Sequence, residues 1–265
     1  MLTVTLLTDF GLADTFIAQM KGVMLSINPE INIVDMTHSI EPFNIRHAAV
    51  ALGMSYKYFP AGTIHIAVVD PGVGSSRRGI IVDTGKYCFV GPDNGIFSII
   101  YAENKYKVYH ITDKRAFINP TGTTFHGRDV FAPTSALISK GMRPEELGPP
   151  VIDYNFFKIT PPSNIGGNTI TGEVLYIDRF GNVITNITAA FITGCGFKLD
   201  GRLVSLKENY AQGQDGQLHA LINSDGYLEL FVKQGGAVLK VMAGVRAGST
   251  ITLELDSPDE YPKII

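Results

Sequence analysis

The stretch VVDPGVGSSR, residues 68–77, joins an apolar run to an acid, a tight glycine turn and a returning arginine. The apolar residues 63–69 predict a buried strand, which places Asp70 at its carboxyl end. Open α/β sheets bind their ligands at that edge. The stretch therefore predicts an α/β fold with a site beside Asp70, although Asp-Pro-Gly alone is more often only a turn.

Composition and charge narrow the class of protein. The chain has 265 residues, 45% of them apolar, which is enough for more than one hydrophobic core. The formal net charge of −3, with basic and acidic residues mixed, leaves no basic stripe, so we expect no nucleic-acid partner. The sequence shows neither a leader-like start nor an apolar run of about 20 residues. We expect a cytoplasmic protein that does not bind a membrane.

Cysteine and histidine usage argues against a metal site. Cys88 and Cys195 are too few and too far apart for a thiolate cluster, and both are interpreted as buried small apolar residues. The six histidines show no paired metal-ligand spacing. We therefore expect no catalytic metal.

The first part of the chain alternates between strand and helix patterns. Short β-branched runs at 2–8 and 31–36 are each followed by helical spacing, at 14–27 and at 44–58. This alternation predicts an N-terminal three-layer α/β domain with a mostly parallel central sheet. Asp14 and Asp129 are interpreted as residues that cap helices.

A second domain follows a segment rich in proline and glycine. Residues 148–168 read as a linker, so we place the boundary near 165 and divide the chain into domains 1–164 and 165–265. Short strands separated by turn residues then follow without a long helical pattern. They predict a smaller all-β domain, a barrel or a sandwich, with strands at 172–177, 218–222, 227–232 and 250–255.

Several polar residues lie where strands end, and each allows two interpretations. Asp9 ends the first strand and is either a turn residue or an acceptor for both hydroxyls of a ribose. His126, at a strand-to-helix junction, is either structural or aimed at a ligand. Residues 178–182 form either an extended polar face or a turn about Gly181. Residues 223–227 form either a hairpin turn or a set of polar groups placed for a ligand.

Taken together, the motifs resemble one family over nearly the whole chain. In order they are TDFG (8–11), VDPGVG (69–74), FHGR (125–128), DRFGN (178–182) and NSxGYL (223–228). This combination resembles the S-adenosylmethionine hydroxide adenosyltransferases, the water-using relatives of the fluorinase and chlorinase enzymes. The resemblance implies attack of water or hydroxide on the ribose 5′ carbon of S-adenosylmethionine, giving adenosine and L-methionine.

The resemblance also implies a catalytic set. It assigns Asp70, Arg77 and His126 to holding and polarising the attacking water. Asp70 and Arg77 would orient the water, and His126 would orient it or remove its proton. Because a sulfonium makes methionine a good neutral leaving group, the enzyme mainly has to align the water and exclude solvent. No cofactor is expected, since S-adenosylmethionine is itself the substrate.

Substrate contacts carried over from the family fall in both domains. In the first domain, Asp9 would take the ribose hydroxyls, Phe43 would form a wall of the pocket, and Thr124 would lie beside the reacting carbon. The family further implies a homotrimer whose sites lie between the first domain of one subunit and the second domain of the next.

In the second domain the resemblance assigns contacts to the two ends of the substrate. Asp178 would hold the ammonium of the methionine half, and Ser224 would contact the methionine end. Phe180, Asn182 and Tyr210 would enclose and read the adenine.

Departures from the halogenating relatives bear on the nucleophile. Those enzymes carry tyrosine at the position of Asp70, serine at that of Gly127 and arginine at that of Asp225. A carboxylate at Asp70 would repel a halide, so water is the expected nucleophile. Asp225 leaves the contacts of the methionine carboxylate open. The alternatives are a chlorinase-like halogenating transferase and a non-catalytic sensor of S-adenosylmethionine or adenosine.

Overall fold

The computed structural model describes residues 2–118, 122–192, 194, 196–234, 238, 242 and 244–255. Contacts between residues divide the chain into two units, the first ending at Lys158 and the second beginning at Ile159. This division lies a few residues before the boundary near 165 that the linker composition predicts.

The first unit is built on one sheet whose strands are short apolar runs. They are β1 (Thr3–Thr8), β2 (Asn32–Thr37), β3 (Ile64–Val68), β4 (Gly79–Asp83), β5 (Cys88–Pro92) and β6 (Lys107–His110). Across the described part of this unit the strand order is β2-β1-β3-β5-β4-β6. β2, β1, β3 and β5 run parallel, whereas β4 is antiparallel to both β5 and β6. The prediction of a mostly parallel sheet is confirmed.

Helices cover both faces of this sheet, which confirms the predicted three layers. They are α1 (Phe16–Ile27), α2 (Ile45–Ser55), α3 (Ser98–Glu103) and α4 (Ala132–Ser139). Successive residues of β1 point to opposite faces, so Leu6 packs with Met20 of α1 in one core. Leu7 packs with Leu52 of α2 in the other core. Full burial of each such side chain stabilises the fold by roughly 1.5–3 kcal/mol.

The predicted helix caps are both wrong. The residue that precedes α1 is Thr15, not Asp14, and no side-chain hydrogen bond caps that helix. Asp129 lies inside a π-helical turn, Gly127–Phe131, that leads into α4. Its fully buried carboxylate accepts hydrogen bonds from the Gly122 amide at 2.9 Å and from the Arg128 guanidinium. A charged partner holds the acid more strongly than a helix end would.

The second unit contains a closed barrel, so the barrel alternative is the correct one. Its strands are β7 (Ser163–Gly166), β8 (Thr169–Ile177), β9 (Val183–Thr188), β10 (Gly196–Leu199), β11 (Arg202–Leu206), β12 (Leu218–Ile222), β13 (Tyr227–Val232) and β14 (Thr250–Leu255). Over the described ranges the order is β14-β10-β11-β12-β13-β9-β8-β7, and β14 also pairs with β8. That last pairing closes the ring and protects strand edges, with β7 added alongside β8.

Alternation along β13 separates the two faces of the barrel wall. Leu228, Leu230 and Val232 belong to the barrel core. By the period of two, Tyr227, Glu229 and Phe231 lie on the opposite face. Glu229 and Phe231 are nevertheless buried, at 4% and 1% exposure. The outer face of this strand is therefore covered by other residues.

Two expectations from composition concern cysteine and membrane binding. Cys88 is half-buried, and burial raises the pKa of its thiol to about 12, which makes it unreactive. Cys195 lies outside the described residues. Within the described ranges, no helix combines the length and apolar character needed to cross a bilayer. Among the same residues, no three His, Cys, Asp or Glu side chains are grouped to hold a metal ion.

Candidate active site

A cavity of about 510 Å³ opens at the carboxyl ends of β1 and β3. These strands are parallel neighbours with Thr8 opposite Val68, so the residues that follow them emerge side by side. The lining includes five residues predicted from the sequence: Asp9, Phe43, Asp70, Thr124 and His126. The carboxyl-terminal edge of the sheet, where the sequence predicts a site, therefore carries a cavity.

Arg77 joins two of these side chains. Its Nε donates to Asp70 Oδ1 at 2.9 Å, and its Nη2 donates to Asp70 Oδ2 in a second, short bond. The same Nη2 donates to His126 Nδ1 at 2.7 Å. The Asp70 and Arg77 side chains are only 5% and 9% exposed. The acid, the guanidinium and the imidazole therefore form one connected, largely buried cluster.

The loop between Asp70 and Arg77 is shaped so that the arginine returns to the acid. Ser75 Oγ donates to the Gly72 carbonyl at 2.7 Å and accepts from the Arg77 amide at 3.2 Å. Gly74 has a φ of +79°, and a Cβ there would lie 2.5 Å from the Thr123 carbonyl oxygen. Glycine is thus required at this position, because the loop passes directly against the segment that carries His126.

His126 is held as a neutral donor. Burial lowers its pKa below the usual value of 6.5, and the Arg77 charge lowers it further, against opposing effects of Asp70 and Asp129. Since Nδ1 accepts from Arg77, the proton of the neutral ring is on Nε2. The Arg77 guanidinium also lies 5.4 Å from the centre of the Phe131 ring, a cation–π contact from the π-helical turn. The cluster therefore presents donors rather than a free imidazole base.

Asp9 and Phe43 also line the cavity. The Phe43 amide donates to Asp9 Oδ2 at 2.9 Å. Phe43 has a φ of +66°, which is unusual for a bulky residue, and its side chain is 71% exposed. The strained backbone at Phe43 thus turns its amide toward the carboxylate and its ring to the cavity mouth.

In the second unit, residues 178–182 form a turn, so the extended alternative is wrong. Asp178 Oδ1 accepts from the Phe180 and Asn182 amides, both at 2.8 Å. Asp178 Oδ2 accepts from Asn182 Nδ2 at 3.1 Å. Gly181 supplies the required φ of +84°. The carboxylate stabilises its own turn and leaves Phe180 70% exposed at the tip.

Residues 223–227 likewise form a hairpin turn, between β12 and β13. Asn223 Oδ1 accepts from the Asp225 and Tyr227 amides, both at 3.1 Å. Gly226 takes a φ of +83°. Ser224 lies exposed on this turn.

Glu229, which the sequence motifs do not indicate, lies beside several of the predicted contacts. Tyr210 Oη donates to Glu229 Oε1 at 2.7 Å, and Asn223 Nδ2 donates to Oε2 at 3.3 Å. Burial raises the pKa of Glu229, against the lowering effects of Tyr210, Asn223 and the nearby Asn182 side chain. Glu229 shares one face of β13 with Tyr227 and Phe231. An acid on a strand face ordinarily indicates that the face is exposed to solvent, so the sequence offered no reason to expect its burial.

Two family models match the chain. Residues 4–148 match the SAM hydroxide adenosyltransferase N-terminal domain, and residues 172–252 match the C-terminal domain of the same family. The chain belongs to the S-adenosylmethionine hydroxide adenosyltransferase family. The resemblance of the sequence motifs to this family is confirmed.

Individual proteins with names typical of this family are similar to the chain over most of its length. A protein of Thermus thermophilus named (R)-S-adenosyl-L-methionine hydrolase is 35% identical over 262 residues, covering 93% of this chain and 97% of the relative. A protein of Methanocaldococcus jannaschii with the same name is also 35% identical, covering 90% and 92%. A fluorinase of an Actinoplanes species is 28% identical, covering 94% and 96%.

A solved structure shares the fold. An uncharacterized conserved protein from Thermotoga maritima superposes with a TM-score of 0.86 at 30% identity, covering 96% of this chain and 99% of that one.

Proposed function

We propose that the protein hydrolyses (R)-S-adenosyl-L-methionine to adenosine and L-methionine. The observation that carries the proposal is the buried Asp70, Arg77 and His126 cluster on the cavity at the sheet edge. Support comes from membership of the hydroxide adenosyltransferase family and from relatives of similar length named for this hydrolysis.

The reaction is a displacement at carbon. The oxygen of water or hydroxide forms a bond to the ribose 5′ carbon, while the bond from that carbon to sulfur breaks. The electron pair goes to the sulfur, which becomes the neutral thioether of methionine, and the water proton is released to solvent. Because the sulfonium already provides the leaving group, we propose that no cofactor takes part and that positioning supplies most of the acceleration.

The cluster suits a water molecule that gains hydroxide character as it attacks, because Asp70 can accept a hydrogen bond from a proton that a halide lacks. Arg77 and the Nε2–H of neutral His126 are donors, and donors stabilise an oxyanion. Asp70 holds the guanidinium by two hydrogen bonds and keeps acceptor capacity for the proton of the nucleophile. In this proposal His126 orients the nucleophile, and the removal of a proton by its Nδ1 is blocked by Arg77.

The binding residues are proposed for both ends of the substrate. Asp9 would accept from the ribose hydroxyls, with Phe43 as a wall and Thr124 beside the reacting carbon. Asp178 and Ser224, one on each of the two turns, would contact the methionine half.

Adenine recognition is proposed for three residues of the second unit. Phe180 and Tyr210 offer exposed rings, and the Asn182 side chain is held in the turn by Asp178. Aromatic faces with a fixed amide are a common way to hold a planar base.

We further propose a homotrimer in which the first unit of one copy and the second unit of the next complete each site. Binding residues occur in both units, and each half carries an exposed aromatic side chain, Phe43 or Phe180. Mixing the Asp70→Asn and Phe180→Ala proteins, each impaired at substrate concentrations below the wild-type KM, would then restore roughly a quarter of the sites by random assortment. A monomer in sedimentation with full activity would contradict this. The cytoplasmic location expected from the sequence stays a prediction.

Incubation in water labelled with heavy oxygen tests the proposed hydrolysis. The expected result is adenosine carrying the heavy oxygen in its 5′ hydroxyl, released together with methionine. Formation of 5′-chloro-5′-deoxyadenosine in the presence of chloride would instead indicate a halogenating transferase. Substrate bound but recovered unchanged would indicate a sensor.

A further inference from the structure

Glu229 is a buried carboxylate that the proposed reaction does not use. It lies on β13, between Leu221 of β12 and Ile184 of β9, on the face opposite the barrel core. Only 4% of the residue is exposed. Placing an acid in such surroundings is costly unless its oxygens are satisfied, so its partners are informative.

All of the hydrogen-bond partners found for Glu229 are donors near the predicted adenine contacts. Tyr210 Oη and Asn223 Nδ2 bond to different oxygens of the carboxylate. The Asn182 side chain lies close enough to lower the pKa of the carboxyl. Two donors from separate loops can be satisfied together by a carboxylate, because it is an acceptor at both oxygens.

The Tyr210 ring is held from two sides. Its hydroxyl is tied inward to Glu229, and its ring packs edge-on against Phe231 with centroids 5.1 Å apart. The short 3-10 turn that carries it begins at Asn209, whose side chain accepts from the Ala211 amide at 3.0 Å. The ring is still 49% exposed. An exposed aromatic face that is already immobilised is suited to stacking, because little side-chain entropy is lost on binding.

Asn182 is oriented by one carboxylate and lies beside another. Its Nδ2 donates to Asp178 Oδ2 at 3.1 Å, and its side chain is close enough to Glu229 to lower the pKa of that carboxyl. An amide whose donors point to carboxylates has a defined orientation instead of two equivalent ones. The same buried acid thus constrains both the ring and the amide proposed to hold the base.

We propose that Glu229 is a positioning residue that pre-forms the nucleoside-binding surface by fixing Tyr210 and Asn182. The identity of the ligand, an adenine nucleoside, rests on the proposed function. Glu229 acts through its neighbours and does not touch the reacting atoms.

The test is a double-mutant cycle read out by adenosine binding and by steady-state kinetics. Glu229→Gln replaces one acceptor by an NH₂ group that faces a donor, so the Kd for adenosine and the KM for (R)-S-adenosylmethionine should rise about tenfold. The kcat should change less than threefold, since the Asp70 cluster is untouched. Tyr210→Phe keeps the ring and removes its hydroxyl, and the Kd should rise at least threefold.

Coupling distinguishes positioning from general damage to the barrel. The double variant Glu229→Gln with Tyr210→Phe should raise the Kd for adenosine by clearly less than the product of the two single fold-changes, because both substitutions weaken the same hydrogen bond. Fold-changes that multiply would overturn the proposal. Glu173→Gln, at a second buried carboxylate of the barrel, is the matched control and should leave Kd and KM unchanged. If Glu229→Gln does not fold, an unchanged Kd in Tyr210→Phe alone overturns the proposal.

The outcomes separate this inference from the proposed reaction. If the wild-type protein binds adenosine but does not hydrolyse the substrate, the proposed reaction is overturned. The Kd values of the variants then still test the positioning role of Glu229. Wild-type hydrolysis with an unchanged KM in Glu229→Gln overturns only the positioning role. A wild-type protein that does not bind adenosine overturns the positioning role as well.

Discussion

The cavity of the first unit and the turn cluster of the second unit use polar side chains in opposite ways. In the cavity, charged side chains bond to each other, with Arg77 between Asp70 and His126. In the second unit, Oδ1 of Asp178 and Oδ1 of Asn223 each accept from two backbone amides of their own turn. The first arrangement concentrates charge at one point, whereas the second fixes the shape of a surface.

This difference predicts different consequences of substitution. Removing one member of a buried charged cluster leaves the others without a partner, and such losses are large. Removing one hydrogen bond from a turn changes the shape or affinity of a surface more gently. Variants in the cavity should therefore lower kcat, and variants in the turns should mainly raise KM.

The largest effect is expected for Asp70→Asn. The amide cannot accept both hydrogen bonds from Arg77, so the guanidinium and His126 lose their alignment, and kcat should fall on the order of 100-fold or more. The measurement is steady-state kinetics of adenosine release. Asp93→Asn is the matched control, because Asp93 is a buried partner of the adjacent Arg78 that does not line the cavity. The Asp93→Asn variant should have a lower melting temperature and a kcat within about twofold of the wild type. An equal loss of kcat in the Asp70→Asn and Asp93→Asn variants would contradict a catalytic role of Asp70.

The next effect concerns pH and His126. Because the pKa of His126 lies below 6.5, kcat/KM should be constant above that pH and fall as the pH drops through the lowered value. Folding stability should fall as the pH drops from 6.5 toward the lowered value, since the unfolded chain takes up a proton there that the folded residue resists. His126→Asn keeps an acceptor for Arg77 but loses the Nε2 donor, so kcat should fall roughly tenfold and the acid limb should disappear. An identical acid limb in the variant would assign the titration to another group.

A moderate effect is expected for Asp178→Asn. One oxygen remains to accept the two turn amides, while the negative charge proposed to hold the substrate ammonium is lost. The KM should rise about tenfold with little change in kcat, because hydrogen bonds to a charged group contribute about 1.5–3 kcal/mol. A melting temperature close to that of the wild type would show that the turn persists. A large fall in kcat at unchanged KM would contradict the division of roles between the two units.

The smallest effect is expected for Phe43→Gly. Glycine relieves the positive φ, which should raise the free energy of unfolding by roughly 0.5–1 kcal/mol, measured by urea denaturation. Loss of the ring should raise KM a few-fold. Asp200→Gly, at a φ of +50° in the turn between β10 and β11, should also stabilise the fold without changing KM. A stability loss at Phe43→Gly would mean that the ring packs more than its exposure indicates.

Local patterns were most reliable in the second unit. The predicted strands at 218–222, 227–232 and 250–255 coincide with β12, β13 and β14. Each is a β-branched or aromatic run bounded by turn residues, so its signal is contained in the run itself. In the first unit β4, β5 and β6 escaped prediction, because each is short and β6 pairs with β4 across the intervening β5 and α3.

The site shows the same division. Strand ends and glycine turns pointed to Asp9, Asp70 and His126, because a carboxyl-terminal sheet edge can be inferred from the order of elements. Asp129 and Glu229 could not be assigned this way. Both are acids that become buried only when a loop or a neighbouring strand covers them, and a sequence read residue by residue treats an acid as exposed.

The alternation of apolar runs, the glycine turns and the motif order were enough to establish the α/β unit, the β unit and the family of this chain. Ring closure through β14 and β8, the three-way contact at Arg77, the tautomer of His126 and the burial of Glu229 required the folded chain. The physical reason is the distance along the chain over which each effect acts. Backbone preferences depend on a few neighbouring residues, whereas the hydrogen bonding and desolvation of a charge depend on side chains that are distant in sequence and adjacent only in the folded chain.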